Sequence, residues 1–226
     1  MTQDPIKKSD FEVERFAAEM VESTATLAKV LGPEAATFPT HLVRLLAKGR
    51  PVSPNEVADA ANISRDKLES ILKMAPFEFD KHGNIVGAGL TLNETPHRIY
   101  VEGVDTPLYT WCAVDAIMFG PMLNQTVRIE STDPQTGEKI SLIETPEKVE
   151  QVEPNSAVVS WRPFPKEGWE DIRGSACQYK NLFASRETAS EWLSKHRPDA
   201  IILSPEEVHQ IGRIVATTGL FKDSAQ

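Results

Sequence analysis

Apolar residues recur at helical spacing from the start of the chain. Phe11, Phe16, Met20, Leu27 and Leu31 share one face of a predicted helix over residues 9–31, opened by the capping box Ser9/Glu12 and stopped by Gly32-Pro33. Three shorter helices are predicted next. The first, Thr40 to Lys48, turns Leu42, Leu45 and Leu46 inward. The second opens at Ser53-Pro54-Asn55-Glu56, which combines a cap, a proline at the first helical position and a glutamate three residues after the cap. The third is capped by Ser64 and carries Leu68, Ile71 and Leu72 on one face. The pattern then changes period: Phe77 to Leu92 alternates around Asp80-Lys81-His82-Gly83-Asn84, a hairpin signal. Three helices followed by a hairpin predict a winged helix-turn-helix shape.

Past Asn93 and Pro96 the chain reads differently. Residues 97–110 are strand-like, with Ile99, Tyr100, Val101 and Leu108, and 111–119 (WCAVDAIMF) read as a buried helix. Strands follow at Val127–Ser131, Ile140–Ile143 and Ala157–Trp161, with a turn at Asp133–Gly137 between the first two. A loop at Arg173-Gly174-Ser175 leads to Cys177 and the apolar Leu182-Phe183-Ala184. Then come a helix over Glu187–His196, a short buried strand over Ala200–Leu203 and a last helix opened by Ser204-Pro205-Glu206-Glu207. The expected class is α+β: a helical, winged-helix-like part over residues 1–95, then a mixed α/β core with antiparallel strands over 96–226 that carries both cysteines.

Composition narrows the function classes. The formal charge is −9 and argues against a polyanionic partner, because nucleic-acid affinity rests on cationic side chains that neutralise phosphates. No run of eighteen apolar residues suggests a membrane span, and the N-terminus lacks the layout of an export signal, so a cytoplasmic protein is expected. Two cysteines in 226 residues do not form a disulfide framework; free thiols are the simpler reading.

The chemistry concentrates in Tyr109-Thr110-Trp111-Cys112-Ala113-Val114-Asp115. With Thr110 as helix cap, Cys112 would sit in the first turn, where backbone N–H groups and the helix dipole favour a thiolate. Asp115, three residues on, shares its face. Its other neighbours in sequence are apolar or small, so the carboxylate needs a partner or holds a proton, as a general acid must near neutral pH. Cys112 can equally be a small buried hydrophobe, and Asp115 a structural hydrogen-bonder. Cys177 is the other thiol. A disulfide, or half of a zinc site, is open to the pair, but no CxxC or HxxxH pattern accompanies them. Two lone thiols and one carboxylate suit a soft, two-coordinate metal better.

Several ordered segments, Leu45 to Ser53, Phe79 to Leu92, Leu108 to Asp115 and Cys177 to Ser185, make the chain resemble the organomercurial (alkylmercury) lyases from about Pro39 to Leu220. The resemblance implies a winged-helix-like N-terminal part joined to a mixed α/β core. It also implies a catalytic set, Cys112, Asp115 and Cys177, that holds mercury as substrate and product and cleaves the carbon–mercury bond by protonolysis. It implies no resident cofactor, an external thiol for turnover, and a mercuric reductase as recipient of the mercuric ion. A second cysteine can follow the loop cysteine in that family; here the position is Gln178.

Three rival readings follow from the same residues. A DNA-binding regulator would use Ser64–Lys73 as recognition helix, which carries three basic and two acidic residues. A mercury-binding protein without turnover would need the two thiols and leave Asp115 superfluous. A thiol oxidoreductase would want a CxxC motif.

Overall fold

A computed structural model describes residues 12–22, 32, 37–74, 76–162 and 171–218. Helix α1 (residues 12–22) buries Val13, Phe16, Ala17 and Met20. Its expected cap at Ser9 and its continuation through Leu27 and Leu31 lie outside the described residues. Helices α2 (Phe38–Leu46), α3 (Pro54–Ala61) and α4 (Arg65–Met74) follow, close to the predicted spans. Each capping serine sits where its pattern required. Ser53 Oγ accepts from Glu56 N at 3.1 Å and Ser64 Oγ accepts from Lys67 N at 3.3 Å, satisfying N–H groups that a helix start leaves open.

The hairpin β1 (Glu78–Phe79) and β2 (Ile85–Ala88) forms the wing. Asp80 Oδ1 closes it by accepting from the backbone N–H of His82 at 2.8 Å and of Asn84 at 2.9 Å. Val52, between α2 and α3, bridges to Ile85, so the helices and the wing share backbone bonds.

The wing is also an edge of the main sheet. Strands β3 (Leu90–Thr91), β4 (His97–Val101), β5 (Leu108–Thr110), β6 (Val127–Thr132), β7 (Lys139–Glu144) and β8 (Val149–Glu153) complete an antiparallel, eight-stranded sheet in the order β1-β2-β3-β5-β4-β6-β7-β8. Strand β8 is absent from the sequence reading. It is an edge strand with no fully buried residue, so it lacks the apolar alternation that marks a half-buried strand. A second antiparallel sheet has the order β10-β9-β11, with β9 (Val158–Trp161) central between β10 (Leu182–Phe183) and β11 (Ile201–Leu203).

Between the two sheets runs α5 (Ala113–Leu123), which packs against β4, β5, β6, β9 and α8 (Pro205–Thr218). Its sequence, AVDAIMFGPML, is apolar on all sides, and Ala113, Val114, Ala116, Ile117, Met118 and Phe119 are all buried, as such a helix requires. Helix α7 (Arg186–His196) covers the second sheet; Ser185 caps it and Ser204 caps α8, both through serine–backbone bonds. Among the described residues no helix is long and apolar enough to cross a membrane.

Candidate functional site

Strand β5 ends at Thr110, which remains extended and pairs with Leu90 on one side and His97 on the other. The chain therefore turns into α5 two residues later than expected. Cys112, not Thr110, is the N-cap, with an extended backbone (φ −152°, ψ 167°), and its Sγ accepts from Asp115 N at 3.4 Å. Thr110 Oγ1 instead donates to the Cys112 carbonyl at 2.8 Å, fixing the turn from below. Cys112 is fully buried, whereas Asp115 keeps partial exposure although protein surrounds it closely.

Cys177 does not follow an open loop. A short helix α6 (Ile172–Ser175) leads into a 3₁₀ turn, Cys177–Tyr179, which holds the thiol under cover at 4% exposure. The glycine read as a loop signal sits inside α6. One tie joins this segment to α5 and another to β9. The Lys180 carbonyl accepts from Ala113 N at 2.9 Å, directly after Cys112. Ser160 of β9 donates through Oγ to the Tyr179 carbonyl at 2.6 Å and accepts from Asn181 N at 2.9 Å.

The outcome is convergence across 65 residues of sequence. The two sulfurs and a carboxylate oxygen of Asp115 all lie within 4.8 Å of one another. Both thiols are free, so no disulfide joins them. Three groups at this spacing can enclose one metal atom, and two of them are soft sulfur donors. Gln178, at the position where a second cysteine can follow in the family, turns away and donates to the Gly174 carbonyl.

Burial pushes the Cys112 thiol well above its ordinary range. A hydrogen bond with Cys177 and the negative charge of Asp115 act in the same direction. Against the helix start that favours a thiolate, one N–H contact from Asp115 is a weaker influence than complete removal from water. A metal that binds here must displace the thiol proton. Burial also raises Asp115, as its apolar sequence neighbours suggested. The positive charge of Lys180 pulls it back, helped by the contact with Cys112.

Lys180 is the residue the sequence reading missed. It is fully buried, its ammonium lies 5.4 Å from the centroid of the Trp161 ring, and its charge favours the ionised forms of both Cys112 and Asp115. A lysine in the polar run Gln178-Tyr179-Lys180-Asn181 carries no sequence mark of burial; only its register against β9 and α5 encloses it.

On the open side of Asp115 lies Gly89, which holds φ at +82° between β2 and β3. A Cβ there would stand 4.0 Å from Asp115 Oδ2 and 3.8 Å from the Phe119 ring, ordinary contact distances, so it is the left-handed backbone and not crowding that calls for glycine. Its carbonyl accepts from Trp111 N at 2.8 Å, which ties the wing to the residue before Cys112.

Residues 90–217 match the profile of the family described as alkylmercury lyase, and residues 22–89 match a helix-turn-helix domain of alkylmercury lyase. An alkylmercury lyase of Pseudomonas putida is 40% identical over 184 residues, covering 81% of this chain and 84% of that protein. Alkylmercury lyases of Staphylococcus epidermidis and Streptomyces lividans are 35% and 36% identical, each over 76% of this chain and 78% of its own length. The crystal structure of the mercury-bound form of MerB2 superposes with a TM-score of 0.76 at 23% identity, covering 89% of this chain and 98% of that one, and corroborates the fold. These matches span both the helical part and the core, and on them the chain belongs to the alkylmercury lyase family and is an enzyme of that type.

Proposed function

We propose that this enzyme cleaves the carbon–mercury bond of organomercurials by protonolysis at Cys112, Cys177 and Asp115. One observation carries the reading: two thiols and one poorly hydrated carboxyl converge within 4.8 Å in a chain of this family. One thiol exchanges its proton for R–Hg⁺, and that proton leaves to solvent. As the second sulfur joins the mercury, its proton passes to the Asp115 carboxylate. Sulfur donation loads electron density onto the carbon, and Asp115 delivers the proton there. The carbon–mercury electron pair becomes the new carbon–hydrogen bond, R–H departs, and mercuric ion remains on the two thiolates. An external thiol then withdraws the mercuric ion in a cytoplasmic setting, and a mercuric reductase is the recipient that fits this product.

Phenylmercury with excess monothiol should give benzene, measured by headspace gas chromatography. Cys112→Ser and Cys177→Ser should each abolish release, while a double serine variant that still forms benzene at the normal rate would sink the proposal. Storage of mercury without turnover is the competing reading, and the same measurement separates the two: a storage protein would bind phenylmercury and yield no benzene.

A further inference from the structure

Outside the three converging groups, Glu78 gathers an unusual set of partners. Its Oε1 accepts from Trp111 Nε1 at 3.1 Å and from the Arg173 guanidinium, and its Oε2 accepts from Thr91 Oγ1 and from Asn93 Nδ2 at 3.0 Å. Two of these donors flank the thiols. Trp111 immediately precedes Cys112, and Arg173, on α6, lies four residues before Cys177. The Arg173 guanidinium also stands 5.2 Å from the centroid of the Trp111 ring.

The wing is built to present this carboxylate. A Cβ on Gly87 would come within 2.2 Å of Glu78 Oε2 and 2.7 Å of Thr91 Oγ1, so the strand opposite Glu78 must carry glycine for the side chain to lie across it. Only 15% of the Glu78 side chain is exposed, against 48% for Arg173. The charged bond is therefore partly screened from water on the side that faces Trp111.

The attachments of the Cys177 segment are unequal on its two sides. After the thiol, the Ala113 N–H of the helix and the N–H and hydroxyl of Ser160 on the strand bind the backbone of Tyr179, Lys180 and Asn181. Before the thiol, Ile172 and Ala176 pack in the core, and the described polar ties to other elements run through side chains: Arg173 to Glu78, and Arg162 to the Ser175 carbonyl.

We propose that Glu78 and Arg173 are positioning residues that set the spacing of the two thiols. A single carboxylate oxygen of the wing clasps the residue before Cys112 and the helix before Cys177. The clasp holds the sulfurs at a separation that one mercury atom can bridge. It thus gives the winged-helix part a role in the chemistry of the core. This inference rests on the mercury-binding reading above and touches no reacting atom itself.

The test uses the full chain and mercuric ion alone as probe. X-ray absorption reads the number of sulfurs bound to mercury, and competition with cysteine reads how firmly mercury is retained. Loss of one charge-assisted bond at this site should weaken retention about tenfold in Glu78→Gln and in Arg173→Ala. The double variant should be no worse than either single one, and Arg173→Lys should recover part of the loss. Arg173 is half exposed, so its truncation spares the core and the protein should melt close to the parent. Two-sulfur coordination and unchanged retention in a folded Arg173→Ala variant would overturn the clasp. So would additive losses in the double variant. Benzene release by the parent protein is measured separately; its absence would strike at the lyase mechanism and leave the clasp to be judged on mercury retention.

Discussion

Two carboxyl groups lie against α5, and burial drives both towards the protonated form, yet they are built for different ends. Glu144, at the end of β7, is fully enclosed. Its Oε2 accepts from Gly120 N at 3.1 Å and its Oε1 meets His209 Nδ1 of α8 at 2.8 Å. Burial raises Glu144 well above the usual carboxylate range and lowers His209. Both oxygens are held by groups that cannot leave, and the pair fastens α8 to α5 and β7. Asp115 sits at the other end of the same helix with partial exposure and two thiols within reach. A raised carboxyl pKa is common to both, and therefore does not identify a site. Exchangeable neighbours do: two free thiols stand beside Asp115, where Glu144 meets a backbone amide and an imidazole.

The comparison can be tested by removing each carboxyl group. Asp115→Ala should lower hydrocarbon release about 10² to 10⁴-fold, the usual contribution of a positioned proton donor, while mercury binding persists on the two thiols. Normal release would place Asp115 in the same structural class as Glu144. Glu144→Ala should do the reverse: about 2–4 kcal/mol of stability lost in chemical denaturation, because His209 is left buried without its hydrogen-bond partner and a fully enclosed side chain is removed, and unchanged turnover per folded molecule. A loss of turnover without a loss of stability would break the distinction.

His97 extends the contrast to a buried base outside both clusters. Burial lowers its pKa to about 4, and its Nδ1 lies 2.9 Å from Ser131 Oγ. The unfolded chain takes up a proton near pH 6.5 that native His97 refuses. Stability from this group is therefore present above pH 6.5, falls as the pH drops, and levels off once the native state also protonates near 4. The full span amounts to about 3 kcal/mol, and His97→Gln should flatten that part of the stability–pH curve. Equal acid sensitivity in the variant would assign the loss to other groups. The smallest effect belongs to a cap remote from either carboxyl group: Ser53→Ala should cost about 1 kcal/mol and leave release untouched.

Local signals carried much of the architecture. Caps at Ser53, Ser64 and Ser204 are short-range events, set by the hydrogen-bonding capacity of residues three positions apart, and they are legible without any tertiary knowledge. The same holds for the Asp80–Asn84 turn and for α5, whose sequence is apolar apart from Asp115 and so reads as a buried helix. Strand β8 was hidden because an exposed edge has no burial to imprint on its pattern.

The candidate chemistry divides along the same line. The sequence by itself determined that Cys112 and Asp115 share the start of one helix, since three residues along α5 keep side chains on one face. It also determined the family, through segments spread over most of the chain. Tertiary structure alone decided that Cys112 caps α5, because pairing holds Thr110 extended, and that Cys177 reaches it from 65 residues away through β9. It likewise enclosed Lys180 beside them and suspended Arg173 and Trp111 from one oxygen of Glu78. Those facts depend on strand register and burial, which arise only when distant segments exclude water together.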